Sequence, residues 1–239
     1  MGYRIAGRVN SRKDLTEVPG ESQFARSIGR LFRQIHPTKV IETGTYQGNG
    51  STAVIASALR KHGGEGAVFY SIEINPRFYQ RAVANLAKRD LQVAVLNGLS
   101  VPRRLLPSIH QIERRYVTEV EADGIFVDHE EIDRAAKYFA ETDFPNAAED
   151  LLGVCLKDFN YTPDFVLLDS GGHMGHVEFE YLVPLLRGVC HIALDDIYHV
   201  KHSQSFRRMQ GDPRFELIAV SEEKFGFCIA RFMPGDAKG

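Results

Sequence analysis

Glu42-Thr43-Gly44-Thr45-Tyr46-Gln47-Gly48-Asn49-Gly50 follows the short apolar run Val40-Ile41, and 25 positions after Gly48 the run Val68-Phe69-Tyr70-Ser71-Ile72 ends in Glu73. A strand, a glycine turn that opens a helix, and a second strand ending in an acid form the layout that holds an adenosine nucleoside. The glycines let the ligand approach the backbone, and the acid accepts hydrogen bonds from ribose hydroxyls. The spacing is G-x-x-x-G-x-G, not the G-x-G-x-x-G of loops that seat a pyrophosphate on a helix N-terminus. It therefore favours a nucleoside without phosphates.

Outward from this pair, strand and helix patterns alternate. Phe24, Ile28, Leu31, Phe32 and Ile35 recur at helical spacing and predict an amphipathic helix ending near His36-Pro37. A small-residue helix is expected over 51–60. Asn75-Pro76 supplies a capping side chain and a first-turn proline, with Tyr79, Ala82, Val83 and Leu86 as the buried stripe of the next helix. The third strand is read at 93–96. The fourth, at 164–169, is apolar enough to be covered on both faces. A helix over 177–187 should kink at Pro184, and the fifth strand at 189–194 runs into Asp195-Asp196. After a short helix at 202–209, two strands at 215–220 and 226–232 are joined so briefly that they must be antiparallel.

These elements predict an α/β fold: a Rossmann-like, doubly wound, mostly parallel seven-stranded sheet with a C-terminal antiparallel hairpin, in a single domain spanning 1–239. Residues 1–20 are read as an N-terminal arm or flap. Residues 101–162 exceed an ordinary crossover and read as a helical insertion between strands 3 and 4. They hold a charged segment at 105–121, a helix at 130–140, and a third helix with Ala148, Leu151, Leu152, Cys155 and Phe159 on one face. Such an insertion is a lid over the strand ends, an added helical layer, or a homodimer contact.

Composition narrows the function classes. With 29 basic and 31 acidic residues and no long basic stripe, a phosphate-tracking nucleic-acid binder is not expected. No run approaches the roughly 18 apolar residues of a membrane span, and the first residues lack a secretory apolar region. Cys155, Cys190 and Cys228 lie far apart in apolar runs, as buried thiols of a reducing compartment do. A cytoplasmic protein is expected.

In doubly wound sheets ligands bind outside the carboxyl ends of the strands. The cofactor set read there is Glu42, Gly44, Thr45, Tyr46, Gly48, Ser51, Glu73, Ile74, Gly98, Ser100 and Asp169, and the commonest phosphate-free nucleoside cofactor is S-adenosylmethionine. Asp169, Asp195 and Asp196 end neighbouring strands, so they could converge into a hard-oxygen cluster suited to Mg²⁺. His173, in Asp169-Ser170-Gly171-Gly172-His173, is the first candidate for a base acting on an acceptor hydroxyl, with His199 and Lys201 in reserve. A nicotinamide oxidoreductase would share the sheet and the ribose acid but needs a pyrophosphate loop this chain lacks. A metal-independent methyltransferase would fit the same residues, as would a non-catalytic cofactor-binding or scaffold protein.

Ile41-Glu42-Thr43-Gly44-Thr45-Tyr46-Gln47-Gly48, Ile72-Glu73-Ile74-Asn75, Leu96-Asn97-Gly98-Leu99-Ser100 and the three aspartates resemble the motifs of class I S-adenosylmethionine-dependent methyltransferases. They are most similar to metal-dependent O-methyltransferases of the catechol type and to bacterial sugar O-methyltransferases. The resemblance implies that Glu42 and the backbone of 44–48 hold the methionine end, that Glu73 takes the ribose hydroxyls, and that the segment ending at Ser100 lines the adenine. It also implies a Mg²⁺ or similar cation on the aspartates, and a small-molecule or sugar hydroxyl as acceptor. Two features depart from the pattern. Gly171 stands where some sugar enzymes carry an aspartate, and His173 is displaced by one residue from the histidine of other relatives. The stretch 101–162 has no counterpart.

Overall fold

The computed structural model describes residues 22–123, 125–127 and 133–235. The expected N-terminal arm, and the first residues of the helix expected from 130, lie outside this set. Helix α1 (Gln23–Ile35) begins where the Ser22 hydroxyl accepts from the Ala25 N–H at 3.1 Å. It ends at His36, whose φ of 45° breaks the helix before Pro37. Its apolar stripe (Phe24, Ile28, Leu31, Phe32) is buried against the sheet, where the Phe32 and Phe165 rings meet edge to face at 5.1 Å.

Five mutually parallel strands follow, each leading into a crossover: β1 (Lys39–Thr43), β2 (Val68–Glu73), β3 (Ala94–Asn97), β4 (Phe165–Leu168) and β5 (Cys190–Asp195). Antiparallel β6 (Phe215–Ser221) and β7 (Phe227–Phe232) complete a sheet of order β3-β2-β1-β4-β5-β7-β6. β7 lies between β5 and β6 and is the reversed strand. The expected mixed seven-stranded sheet is therefore the one observed. Every residue of β4 is buried, as a central strand covered by helices on both sides must be.

The core has two layers. On one face α1, α2 (Ser51–His62) and α3 (Pro76–Lys88) cover Val40, Phe69, Phe165 and Leu167. On the other face α6 (Leu151–Asp158), α7 (Met174–Leu182) and α8 (Ser203–Gly211) cover Ile41, Val166, Leu168 and Ile192. Burial of each such side chain contributes roughly 1.5–3 kcal/mol. Helices α4 (Ile109–Asp123) and α5 (Arg134–Ala140) make a third, smaller cluster in which Ile112, Tyr116, Ala135 and Tyr138 pack on Val200.

Local expectations differ from the structure in four places. Val83 is 44% exposed, because α3 flanks the thin β2–β3 edge and presents only Ala82 and Leu86 to the core. Helix α7 starts at Met174, three residues earlier than its apolar pattern suggests, and stops at Leu182. Pro184 falls in a 3₁₀ turn, Val183–Leu185, so it ends the helix instead of kinking it. Helix α6, read from sequence as part of the insertion, is the crossover helix that returns the chain to β4. The third strand is shifted one residue, to Ala94–Asn97. Among the described residues, no helix is long and apolar enough to cross a membrane.

Candidate active site

The segments that follow β1, β2, β3, β4 and β5 converge on a cavity of about 640 Å³. Its first wall is the glycine loop. Gly44 takes φ +86°, and its N–H donates to the Ile72 carbonyl at 2.9 Å. A Cβ at Gly44 would lie 2.3 Å from the Asp169 carbonyl oxygen, so only glycine lets the loop cross the end of β4. The next turn brings the Tyr46 N–H to Oε2 of Glu73 at 2.6 Å, while the Asn75 N–H donates to Oε1 at 2.8 Å. Burial outweighs these two bonds and pushes the Glu73 carboxyl up to about 7.

Of the residues expected to hold a cofactor, Gly44, Thr45, Tyr46, Ser51, Glu73, Ile74, Gly98, Ser100 and Asp169 face this cavity. Glu42 and Gly48 do not. Glu42 is fully buried behind the loop, where its carboxylate accepts from Ser51 at 2.7 Å and from Thr52 and Ser71 at 2.6 Å each. Burial raises its pKa to about 7 in spite of these donors. Its position makes it the acceptor that fixes three hydroxyls beneath the cavity floor. Gly48 packs on α3, where an added Cβ would stand 3.1–3.3 Å from Leu86 and Ala82.

The opposite wall carries the aspartates. β4 and β5 are in parallel register with Leu168 beside Leu194, so the residues that follow, Asp169 and Asp195, come level. Asp169, Asp195 and Asp196 all face the cavity, and one carboxylate oxygen from each lies within 4.8 Å of the others. Burial, followed by the charge of Asp196 and Asp169, holds the Asp195 carboxyl well above the ordinary carboxylate range. This is the convergence the strand pattern predicts, and three hard oxygen donors suit a divalent cation.

The donor set is not open, however. Lys201 is a buried side chain whose Nζ donates to Oδ1 of Asp169 at 2.5 Å and to Oδ2 of Asp196 at 3.0 Å. Burial disfavours its charge, but Asp169, Asp196 and Asp195 together outweigh that cost and keep its pKa well above the usual lysine value. The turn that delivers it is built locally. Asp196 adopts φ 59°, the His199 N–H donates to the Asp196 carbonyl at 3.0 Å, and His199 Nδ1 accepts from the Lys201 N–H at 3.1 Å.

The three candidate bases therefore separate. Lys201 meets the acidic cluster from behind, and His199 shapes its turn. His173 does not face the main cavity, contrary to the sequence expectation. Its ring is buried, its Nε2 lies 3.4 Å from Oγ1 of Thr142, and its Nδ1 has no partner among the described residues. It borders a second cavity of about 200 Å³ shared with Ile112, Arg115, Tyr116 and Val200. Burial, and then the Arg115 charge, lower its pKa to about 4, which makes it a weak base at neutral pH. Beside it the Tyr138 ring packs so closely on Gly172 that an added Cβ there would lie 1.9 Å from it.

Sequence reasoning missed two parts of the site. Glu178, fully buried on α7, accepts from the Ser100 hydroxyl, from Ser170 at 2.6 Å and from Thr43 at 2.7 Å, tying together the ends of β1, β3 and β4. Its signal was available: an acid on the same helical face as Met174, Phe179 and Leu182 has to find donors inside. The other part is the far wall, where Glu141, Thr142 and Phe144 come from the insertion and Lys224 and Phe225 from the β6–β7 turn. No local pattern marks these residues as lining.

No family model matches the sequence, and no curated protein does. Solved structures do match in shape. An O-methyltransferase from Bacillus cereus in complex with SAH superposes with a TM-score of 0.52 at 16% identity, over 87% of this chain and 80% of that one. The O-methyltransferase TomG from Streptomyces achromogenes, in complex with SAM, gives 0.51 at 16% identity over 87% and 79%. A methyltransferase from Geobacter sulfurreducens gives 0.52 at 10% identity over 89% and 80%. At these identities the likeness is one of fold: the chain has the architecture of these methyltransferases across nearly its whole described length.

Proposed function

We propose that this chain is an S-adenosylmethionine-dependent O-methyltransferase acting on a hydroxyl of a small molecule or sugar. The observation that carries the reading is the pairing of walls in one cavity. Glu73, held by two backbone donors at the end of β2, faces the same space as the carboxylates ending β4 and β5. The first suits a ribose diol, the second a polar acceptor, and about 640 Å³ is ample for a nucleoside with a small molecule beside it. The absence of a pyrophosphate loop argues against a dinucleotide.

In this reading Gly44–Tyr46 and Glu73 would hold the adenosine of the cofactor, which would supply a methyl group carried on a sulfonium. The acceptor oxygen would form a bond to the methyl carbon as the carbon–sulfur bond breaks, leaving a neutral thioether, and the hydroxyl proton would pass to a carboxylate of the acidic triad at the cavity wall. Holding the two reactants in line supplies much of the acceleration. The segment at 140–144 acts as a lid that excludes water from the acceptor side.

Two readings of the acidic cluster are distinguishable. A Mg²⁺ ion held by Asp169, Asp195 and Asp196 would chelate a vicinal diol and acidify its hydroxyl; the three converging carboxylates favour it. Lys201 favours the other, because its ammonium already pairs with two of those carboxylates and would repel a cation placed beside them. The test of the common reading is incubation with methyl-labelled S-adenosylmethionine and a panel of sugars, catechols and other diols. Labelled ether and S-adenosylhomocysteine are the expected products. Tighter binding of NADH than of S-adenosylhomocysteine would overturn the assignment.

A further inference from the structure

Three carboxylates crowded at the ends of two strands repel one another, and this fold already answers that repulsion with one of its own side chains. Lys201 is only 5% exposed at its side chain, and its Nζ lies within hydrogen-bonding distance of both Asp169 and Asp196. The backbone that carries it is pinned by the left-handed turn at Asp196 and by the bond from the Lys201 N–H to His199 Nδ1 at 3.1 Å. Lys201 cannot easily retreat. Val200 and His202 on either side of it are fully buried, and the His202 ring is tied to the Leu168 carbonyl at 3.0 Å. A divalent ion brought to the cavity face of these carboxylates would stand within a few ångströms of the ammonium, and the two like charges would repel each other.

We propose that the Lys201 ammonium is the resident cation of this site, standing where a divalent metal was expected. It neutralises part of the triad's charge and fixes Asp169 and Asp196 at the cavity wall, so that methyl transfer needs no added metal. The inference rests on the methyltransferase reading of the cavity. Lys201 acts through the aspartates and is a positioning residue.

The test is a Mn²⁺ titration of the full chain, followed by the electron paramagnetic resonance signal of free Mn²⁺, on wild type, Lys201→Met and Lys201→Arg. Wild type and Lys201→Arg should leave the signal unchanged. Lys201→Met, which removes the like charge and frees the oxygens, should gain a site that binds Mn²⁺ at least about tenfold tighter. Wild-type turnover should survive EDTA. Stoichiometric Mn²⁺ binding by wild type, or turnover abolished by EDTA and restored by Mg²⁺, would overturn the proposal, even if Lys201→Met failed to fold. S-adenosylhomocysteine binding, measured by calorimetry on the same wild-type sample, keeps the two levels apart. Its loss refutes the methyltransferase reading, whereas the Mn²⁺ result bears on Lys201 alone.

Discussion

Replacing Glu73 tests the proposed cofactor site most directly, because the proposal gives the carboxylate two jobs whose energies can be separated. Its oxygens accept from the Tyr46 and Asn75 N–H groups at 2.6 and 2.8 Å, and it faces the cavity. Toward stability these two bonds are opposed by burial, which pushes its pKa up to about 7. The net change in folding free energy for Glu73→Gln should therefore stay within about 1 kcal/mol, or roughly 2–4 °C in Tm. Toward the ligand there is no such offset. Ribose hydroxyls donating to a carboxylate are charge-assisted bonds, and their weakening should cost about 2–3 kcal/mol, ~30- to 150-fold in Kd. Calorimetry with S-adenosylhomocysteine at pH 8 reads the second effect, and a thermal melt of the free protein reads the first. Because the ligand prefers the ionised carboxylate, wild-type affinity should also fall as pH drops through about 7, more steeply than in Glu73→Gln. A Kd within about twofold of wild type alongside a Tm lowered by many degrees would show that Glu73 merely staples the loop.

Other outcomes are equally specific. The Glu42 pKa of about 7 lies above its unfolded value of 4.5. The native state therefore binds the proton more tightly, and this group's contribution is full below 4.5 and lost as pH rises through 7. Glu42→Gln should flatten the decline in stability across that window, as urea unfolding at several pH values will show. Gly44→Ala forces a left-handed φ that costs about 1–2 kcal/mol and drives a Cβ to 2.3 Å from a carbonyl oxygen, so Tm should fall by roughly 4 °C or more. Glu178→Ala strands the hydroxyls of Thr43, Ser100 and Ser170 and should cost about 2–4 kcal/mol by urea unfolding, while Glu178→Gln should cost about 1. Equal losses for the two Glu178 variants would mean that the isosteric amide cannot stand in for the carboxylate at all, and would refute the smaller cost expected for Glu178→Gln.

What could be read without the structure was local. The glycine loop carries its own turn chemistry, the strand runs carry their burial, and an acid at a strand end declares itself by position. Asp169, Asp195 and Asp196 were legible as a group because parallel strands put equivalent ends on one edge. His173 was misplaced because nothing near it in sequence announces Thr142, a residue of the insertion that its buried ring meets. Lys201 stood out as a polar residue after β5, but its role depends on a turn that buries the ammonium against Asp169, 32 positions away.

The sequence by itself determined the α/β alternation, the glycine loop and the acidic strand ends, since each follows from periodicity or turn preference within a short window. Only the tertiary structure decided that β7 slots between β5 and β6, that Glu178 ties three strand ends together, and that a lysine already answers the charge of the triad. These depend on which distant segments share the same few ångströms. That adjacency is set by sheet order and by packing, and no window of the chain contains it.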